Sequence, residues 1–112
     1  MGENQSMRTL LMAALLLGTV GIAAQAADAK AGQAIYDKHC GTCHGPNGAA
    51  PPNVAKFQDG RITDLRSSKV QSMSDTDLGK VVTAGTKGMR GDPTVSGKTL
   101  EDLLAFIHSL KT

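Results

Sequence analysis

The amino-acid sequence predicts an all-α domain, on three grounds. No stretch of the chain alternates apolar and polar residues at the period of two that a half-buried strand requires. Two segments begin with helix-capping side chains followed by apolar residues at helical spacing. Near the C-terminus, an apolar stripe recurs at the spacing of a helix that packs on a core; its residues are Leu100, Leu103, Leu104, Phe106, Ile107 and Leu110.

The first half of the folded region contains one clear helix and two weaker features. Asp28 is predicted to cap the first helix, which runs to about Cys40. Residues 41–59 are rich in Gly and Pro, which predicts a loop. Residues 64–70 are predicted to form a short helix.

The second half contains two helices and a loop between them. Ser74 and Asp77 resemble a capping box with Asp in place of Glu, and they start a helix that Gly85 ends. Residues 85–98 contain further Gly and Pro and are predicted to form a second loop. Thr99 is predicted to open the last helix.

The N-terminal residues have the pattern of a secretory signal peptide. Arg8 provides a basic flank, residues 10–24 carry no charge, and a small-x-small cleavage pattern ends at Ala26. We therefore divide the chain into a signal peptide, residues 1–26, and a mature domain, residues 27–112. An uncleaved anchor is the alternative, but a membrane span needs about 20 apolar residues. We expect a periplasmic protein without stable membrane insertion after cleavage.

The composition of the mature domain excludes one class of function and indicates a bound group. The chain has 12 basic and 10 acidic residues, and the leader takes one of each, so the net charge stays at +2. No Lys/Arg-rich run is present, which argues against nucleic acid as a partner. There is no Trp, one Tyr and two Phe. So few rings make a thin core for a small domain, so we expect something other than side chains to fill the middle.

Residues 40–44 read Cys-Gly-Thr-Cys-His, a C-x-x-C-H motif. Two thiols at positions i and i+3 of a helical turn face the same way, so Cys40 and Cys43 can both reach the two vinyl groups of a haem. His44 follows directly and can present its imidazole to the iron. The motif therefore predicts one haem c, bound through two thioether links, with His44 as an axial ligand.

Other interpretations of the motif are weaker. A redox dithiol requires a strand–helix context that the chain lacks. A zinc site made of His39, Cys40, Cys43 and His44 would draw four ligands from six residues, whereas structural zinc sites usually use two separate segments. A chance occurrence is the third alternative.

The mature chain resembles the class I cytochrome c family along nearly its whole length. Gly32 and Tyr36 match the small-then-aromatic pair of the family's first helix. Leu103 and Phe106 match the apolar-then-aromatic pair of its last helix. The resemblance implies three to four helices wrapped around one covalently attached haem, with the first and last helices crossing. It also implies His and Met as axial ligands.

Four side chains are candidates for the sixth position on the iron. Met89 lies in the second Gly-rich loop, at a place that matches the family's ligand loop, so Met89 and His44 are the predicted metal ligands. Met73 precedes a helix and suits core packing. His39 suits the rim beside the haem. His108 falls outside the apolar arc of the last helix and suits the surface.

Several further residues are weaker candidates. Arg90 departs from the Pro that usually follows the Met in the family, which leaves the loop less stiff. Pro51 or Pro52 stands where the family has a Pro whose carbonyl fixes the ligating His; a simple turn is the alternative. Arg90, Arg61 or Lys87 could pair with the haem propionates, with a solvated surface charge as the alternative for each.

These observations predict a monomeric, mono-haem electron carrier that passes one electron at a time between a donor and an acceptor redox protein. It is not predicted to be an enzyme, because His44 and Met89 would fill both axial positions and leave none for substrate. A haem-bearing relay subunit of a larger oxidoreductase complex is one alternative function. A ligand-binding haem protein with a labile sixth site is another.

Overall fold

The computed structural model describes residues 26–57 and 62–110. Six helices and one two-stranded antiparallel hairpin follow one another in this part of the chain. They are α1 (Ala29–His39), α2 (Gly41–His44), α3 (Pro52–Phe57), α4 (Ser68–Gln71), α5 (Asp75–Ala84), β1 (Gly85–Thr86), β2 (Met89–Arg90) and α6 (Gly97–Ser109). The all-α prediction is confirmed, with the short hairpin as an addition.

The crossing of α1 and α6 is the main packing contact of the fold. At Gly32 the backbones approach so closely that a Cβ atom would lie 1.9 Å from the Asp102 carbonyl oxygen. The rings of Tyr36 and Phe106 pack beside this point with centroids 5.0 Å apart. The crossing that the family resemblance implies is therefore confirmed.

The start of α1 is fastened to α6 by hydrogen bonds. The Asp28 side chain accepts from the backbone N–H groups of Lys30 and Ala31, which confirms the predicted cap. The Asp28 backbone N–H donates to Asp102 Oδ1 over 2.8 Å, and Lys98 Nζ lies 2.8 Å from the same oxygen. These contacts hold the pKa of the Asp102 carboxyl below its usual range, the bond from Asp28 contributing most. The buried carboxylate therefore joins the two ends of the domain.

Two loop predictions need correction. Residues 41–59 contain two helical turns, α2 and α3, rather than an unbroken loop. Pro52 opens α3, because proline suits the first helical position, where its missing N–H is not needed. The predicted loop over residues 85–98 contains the hairpin, in which Thr86 pairs with Met89.

Two helix boundaries also differ from the prediction. α4 begins at Ser68, after Ser67 caps it, while Asp64 and Arg66 form a local ion pair in the preceding turn. α6 begins at Gly97 instead of Thr99, and its first turn gains the i,i+4 pair between Lys98 and Asp102. Helix α5 occupies its predicted place, with Ser74 capping it through the Asp77 N–H.

The buried core joins α1, α4, α5 and α6, and its residues are Tyr36, Val70, Leu78, Val82, Val95, Leu103, Leu104, Phe106 and Ile107. Among the described helices, none combines the length and apolar character needed to cross a bilayer. The predicted signal peptide, residues 1–26, lies outside the described residues except for Ala26.

Candidate functional site

A cavity of about 1060 Å³ lies against α2, α4, α5, α6 and the hairpin. Its walls are mostly apolar, with Val70, Leu78, Val81, Val82 and Ile107 among them. It lies beside the core residues Val70, Leu78, Val82 and Ile107, where the sequence predicts that something other than side chains fills the domain. The size and lining are those of a site for a large apolar ligand.

The cavity brings together all four of the predicted site residues. Cys40, Cys43 and His44 line it from the α1–α2 side, and Met89 lines it from β2. The predicted helical turn of the motif is present, since the Cys40 carbonyl accepts from the His44 N–H over 3.0 Å. Two segments about 45 positions apart in the sequence therefore line one apolar cavity.

A buried tyrosine fixes the backbone on both sides of the motif. The Tyr36 carbonyl accepts from the Cys40 N–H, and the Tyr36 hydroxyl donates to the Gly45 carbonyl over 2.6 Å. Gly45 has a φ of 74°, and a Cβ there would lie 2.4 Å from the Ala49 oxygen. Burial raises the pKa of Tyr36 to about 12, so the hydroxyl stays a donor at all ordinary pH values.

The His44 imidazole is poised as a neutral ligand. Burial lowers its pKa, and the backbone of Thr63 partly opposes that shift. Its Nδ1 atom is buried and makes no hydrogen bond to any described residue. An unprotonated imidazole is the form that binds a metal. The ring therefore has the charge state that the predicted axial role requires.

The two thiols are unpaired, with Cys40 half-buried and Cys43 exposed. Burial, followed by the charge of Asp92, raises the pKa of the Cys40 thiol to about 11. Within residues 26–57 and 62–110, no three His, Cys, Asp or Glu side chains converge in a metal-binding group.

These residues fit a haem c. Cys40 and Cys43 would hold it through thioethers, His44 would provide an axial nitrogen, and the apolar walls would cover the ring. The C-x-x-C-H spacing, the neutral, half-buried imidazole and the large apolar cavity each meet a separate requirement of that group.

The candidates for the sixth ligand separate in the structure. Met89, Met73 and His39 all line the cavity, whereas His108 does not. His108 Nε2 lies 2.9 Å from Asp75 Oδ1, and its side chain is 28% exposed, so its expected surface placement is only partly correct. Met89 as the ligand stays a prediction, with Met73 as its competitor at the same cavity.

The weaker candidates have mixed outcomes. The Pro51 carbonyl accepts from the backbone of α3, and neither Pro51 nor Pro52 receives a hydrogen bond from His44. Lys87 and Arg90 line the cavity and are exposed, as a propionate partner would be. Arg61 lies outside the described residues.

Two charged cavity residues were not predicted from the sequence. Lys69, in α4, and Asp92, just after the hairpin, both line the cavity. Asp92 also forms an ion pair with His39 over 2.8 Å. A lone Lys on a short helix and a lone Asp in a turn carry no sequence signal, because only the folded chain brings them to the cavity.

Comparisons with known proteins identify the family of the chain and agree with its fold. A protein-family model described as "Cytochrome C oxidase, cbb3-type, subunit III" matches residues 27–107. Among solved structures, the KustC0563 c-type cytochrome is similar in fold, with a TM-score of 0.60 and 20% sequence identity over 72% of this chain and 98% of that chain. A search of curated proteins found no match. Since the family model spans most of the chain and includes the C-x-x-C-H motif, this chain belongs to that family of small, class I-like c-type cytochrome domains.

Proposed function

We propose that this protein is an exported, mono-haem electron carrier that passes single electrons between two redox proteins. A c-type cytochrome domain implies covalently bound haem c and electron transfer. The observation that supports the proposal is the shared cavity, which is lined both by the C-x-x-C-H motif and by Met89. Two axial side chains from one chain leave no iron position for a substrate, which favours a carrier over an enzyme.

Each group at the cavity has a distinct task in this proposal. When bound, the haem supplies an iron that exchanges one electron. Cys40 and Cys43 prevent loss of the group from an exported protein, and His44 provides a neutral nitrogen. Met89 provides a soft sulfur that favours the ferrous state. The apolar walls exclude water, and in these c-type sites burial helps to set the reduction potential.

The rim of the cavity indicates the charge of the partners. Lys69, Lys87 and Arg90 are exposed and line the cavity. Among the described residues that line the cavity, Asp92 is the acidic one, and its side chain is paired with His39. A cationic rim around the haem edge steers an acidic partner surface towards the site of electron transfer.

Replacing Lys87 with Glu is expected to slow electron exchange with an acidic redox protein by at least about threefold at low salt. Lys30→Glu is the matched control, since it makes the same net-charge change at an exposed site in the first turn of α1, away from the cavity. The stopped-flow rates of wild type and both variants should converge as salt is added, because the screening length is about 10 Å at 0.1 M and shorter at higher salt. Equal slowing by the two variants would show that net charge matters and the rim does not.

The proposed division of the chain keeps the start of the fold in the mature domain. Cleavage after Ala26 would leave Asp28 in place, with its cap on α1 and its bond to Asp102. The proposal of export to the periplasm rests on the signal-peptide pattern of residues 1–26.

Covalent attachment is the first experimental test of the proposal. Acid–acetone extraction of the protein, isolated from a host with haem-attachment machinery, should leave the haem on the polypeptide. Cys40→Ser and Cys43→Ser should each retain at most a single thioether and shift the reduced absorption band to longer wavelength. Release of intact haem from the wild-type chain during extraction would contradict the proposal.

The description of the family model favours a second candidate function, a haem-bearing relay subunit of an oxidase complex. Size-exclusion chromatography of native extracts distinguishes the two functions. A free carrier elutes as a monomer of the mature chain, whereas a subunit elutes with its complex.

A further inference from the structure

An ion pair joins the two sides of the cavity. His39 is the last residue of α1 and directly precedes Cys40. Asp92 follows β2, three positions after Met89. His39 Nδ1 and Asp92 Oδ2 lie 2.8 Å apart, and both residues line the cavity. The contact therefore ties the segment that leads into the motif to the segment that follows Met89.

Asp92 is held firmly enough to transmit this contact. Its backbone N–H donates to the Val82 carbonyl of α5 over 2.8 Å. Its Oδ1 atom accepts from the Thr94 N–H over 3.0 Å and from the Thr94 hydroxyl. These bonds from Thr94 are the main reason that the pKa of Asp92 lies below its usual range. Oδ1 of Asp92 is thus bonded to Thr94 in the same turn, while Oδ2 contacts His39.

The geometry points to the His39–Asp92 pair as a positioning contact that holds the Met89 hairpin against the C-x-x-C-H side of the cavity. It does not touch the iron, and it acts by keeping Met89 within reach of it. The inference rests on the proposed function, in which Met89 is the sixth ligand. The departure from the family at Arg90 gives the pair its importance, because a hairpin without the stiffening Pro needs another restraint.

The expected size of the effect follows from the exposure of the pair. The two side chains are 29% and 35% exposed, so water weakens the attraction without removing it. Loss of such a pair should raise the population of the open hairpin by about fivefold. An external ligand that binds iron only when Met89 has left should gain affinity by the same factor.

The protein contains a matched control for this pair. His108 Nε2 and Asp75 Oδ1 lie 2.9 Å apart and join α6 to α5. Neither residue lines the cavity. His108→Gln therefore removes a His–Asp pair of similar length without releasing the hairpin, so it separates a general loss of stability from a loss of positioning.

The test compares His39→Gln, Asp92→Asn, their double variant and His108→Gln, all with haem bound. Optical titration of the ferric protein measures the dissociation constant of imidazole. This constant should be about fivefold lower in His39→Gln and in Asp92→Asn than in wild type. The double variant should add little, which is the mark of two residues that act through one contact. His108→Gln should stay within twofold of wild type. Equal constants in wild type and His39→Gln would overturn the inference.

Hydrogen exchange keeps the inference testable by a readout that does not depend on iron ligation. The Asp92 amide, bonded to Val82, should exchange about fivefold faster in His39→Gln and at the wild-type rate in His108→Gln. Unchanged exchange in His39→Gln would reject the positioning contact. A third outcome separates the contact from the ligand. If exchange is faster in His39→Gln but the wild-type protein has no far-red iron–sulfur band, Met89 is rejected as the ligand and the His39–Asp92 contact is retained.

Discussion

Replacing Gly32 with alanine is expected to lower the free energy of unfolding by about 3 kcal/mol or more. The added Cβ would lie 1.9 Å from the Asp102 carbonyl oxygen and 2.5 Å from its carbon. Both atoms belong to the backbone of α6, so the two helices must move apart. That movement would also loosen the Tyr36–Phe106 contact and the hydrogen bond from Asp28 to Asp102. Chemical denaturation of the haem-bound protein measures the loss.

A helical glycine elsewhere provides the control for this substitution. A Cβ at Gly79 in α5 would meet only Leu100 and Leu104 side-chain atoms, at 3.5 and 3.8 Å, which is ordinary contact. Gly79→Ala should therefore be neutral or stabilise the protein by up to about 1 kcal/mol through helix propensity. If Gly32→Ala were as stable as Gly79→Ala, the close helix crossing would be wrong.

Replacing Met89 with alanine is expected to abolish the weak far-red absorption of ferric iron–sulfur ligation. The reduction potential should fall by on the order of 0.1 V, because a thioether favours ferrous iron and axial ligands set the potential over a wide range. Exogenous imidazole should then bind readily to the vacated position. Optical spectra and potentiometry of the purified variant measure all three changes.

Met73→Ala is the matched variant, since Met73 also lines the cavity and is partly buried beside the core. It should keep the far-red band and lose stability in proportion to the apolar volume removed, about 2 kcal/mol. The reverse pattern, with the band lost in Met73→Ala alone, would assign the ligand to Met73.

The resemblance to a known family was sufficient to predict the helix crossing, and a local motif was sufficient to predict part of the site. Gly32 and Tyr36 in α1 and Leu103 and Phe106 in α6 match the residue pairs that the class I cytochrome c resemblance places at that crossing. Asp28 indicates the start of a helix, because its side chain accepts hydrogen bonds from the free N–H groups of the first turn. The C-x-x-C-H motif is likewise local, so its helical turn was predictable.

Contacts between distant segments were not predictable. His39 and Asp92 meet only because α1 and the hairpin flank the same cavity. The bond from the Tyr36 hydroxyl to the Gly45 carbonyl depends on two left-handed glycines, Gly45 and Gly48, that close a tight turn. Gln71 donates to the carbonyls of both Leu65 and Ile107, which tertiary packing alone brings together.

The start of α6 shows why element boundaries were less certain than the elements themselves. Thr99 looks like a cap, yet the helix begins at Gly97 behind an extended Ser96 that makes no side-chain cap bond. The Lys98–Asp102 pair and the bond from Asp28 favour a start two residues earlier. One of those bonds comes from α1, so the sequence near Thr99 does not reveal it.

A potentiometric titration of the purified wild-type protein, followed in its visible spectrum, shows whether the chain carries one electron on one haem. We expect a reversible curve for a single one-electron centre, sharp c-type bands in the reduced form and a far-red band in the oxidised form. A protein without haem bands, a curve that requires more than one centre, or a ferric spectrum with an open sixth position would contradict the proposed function.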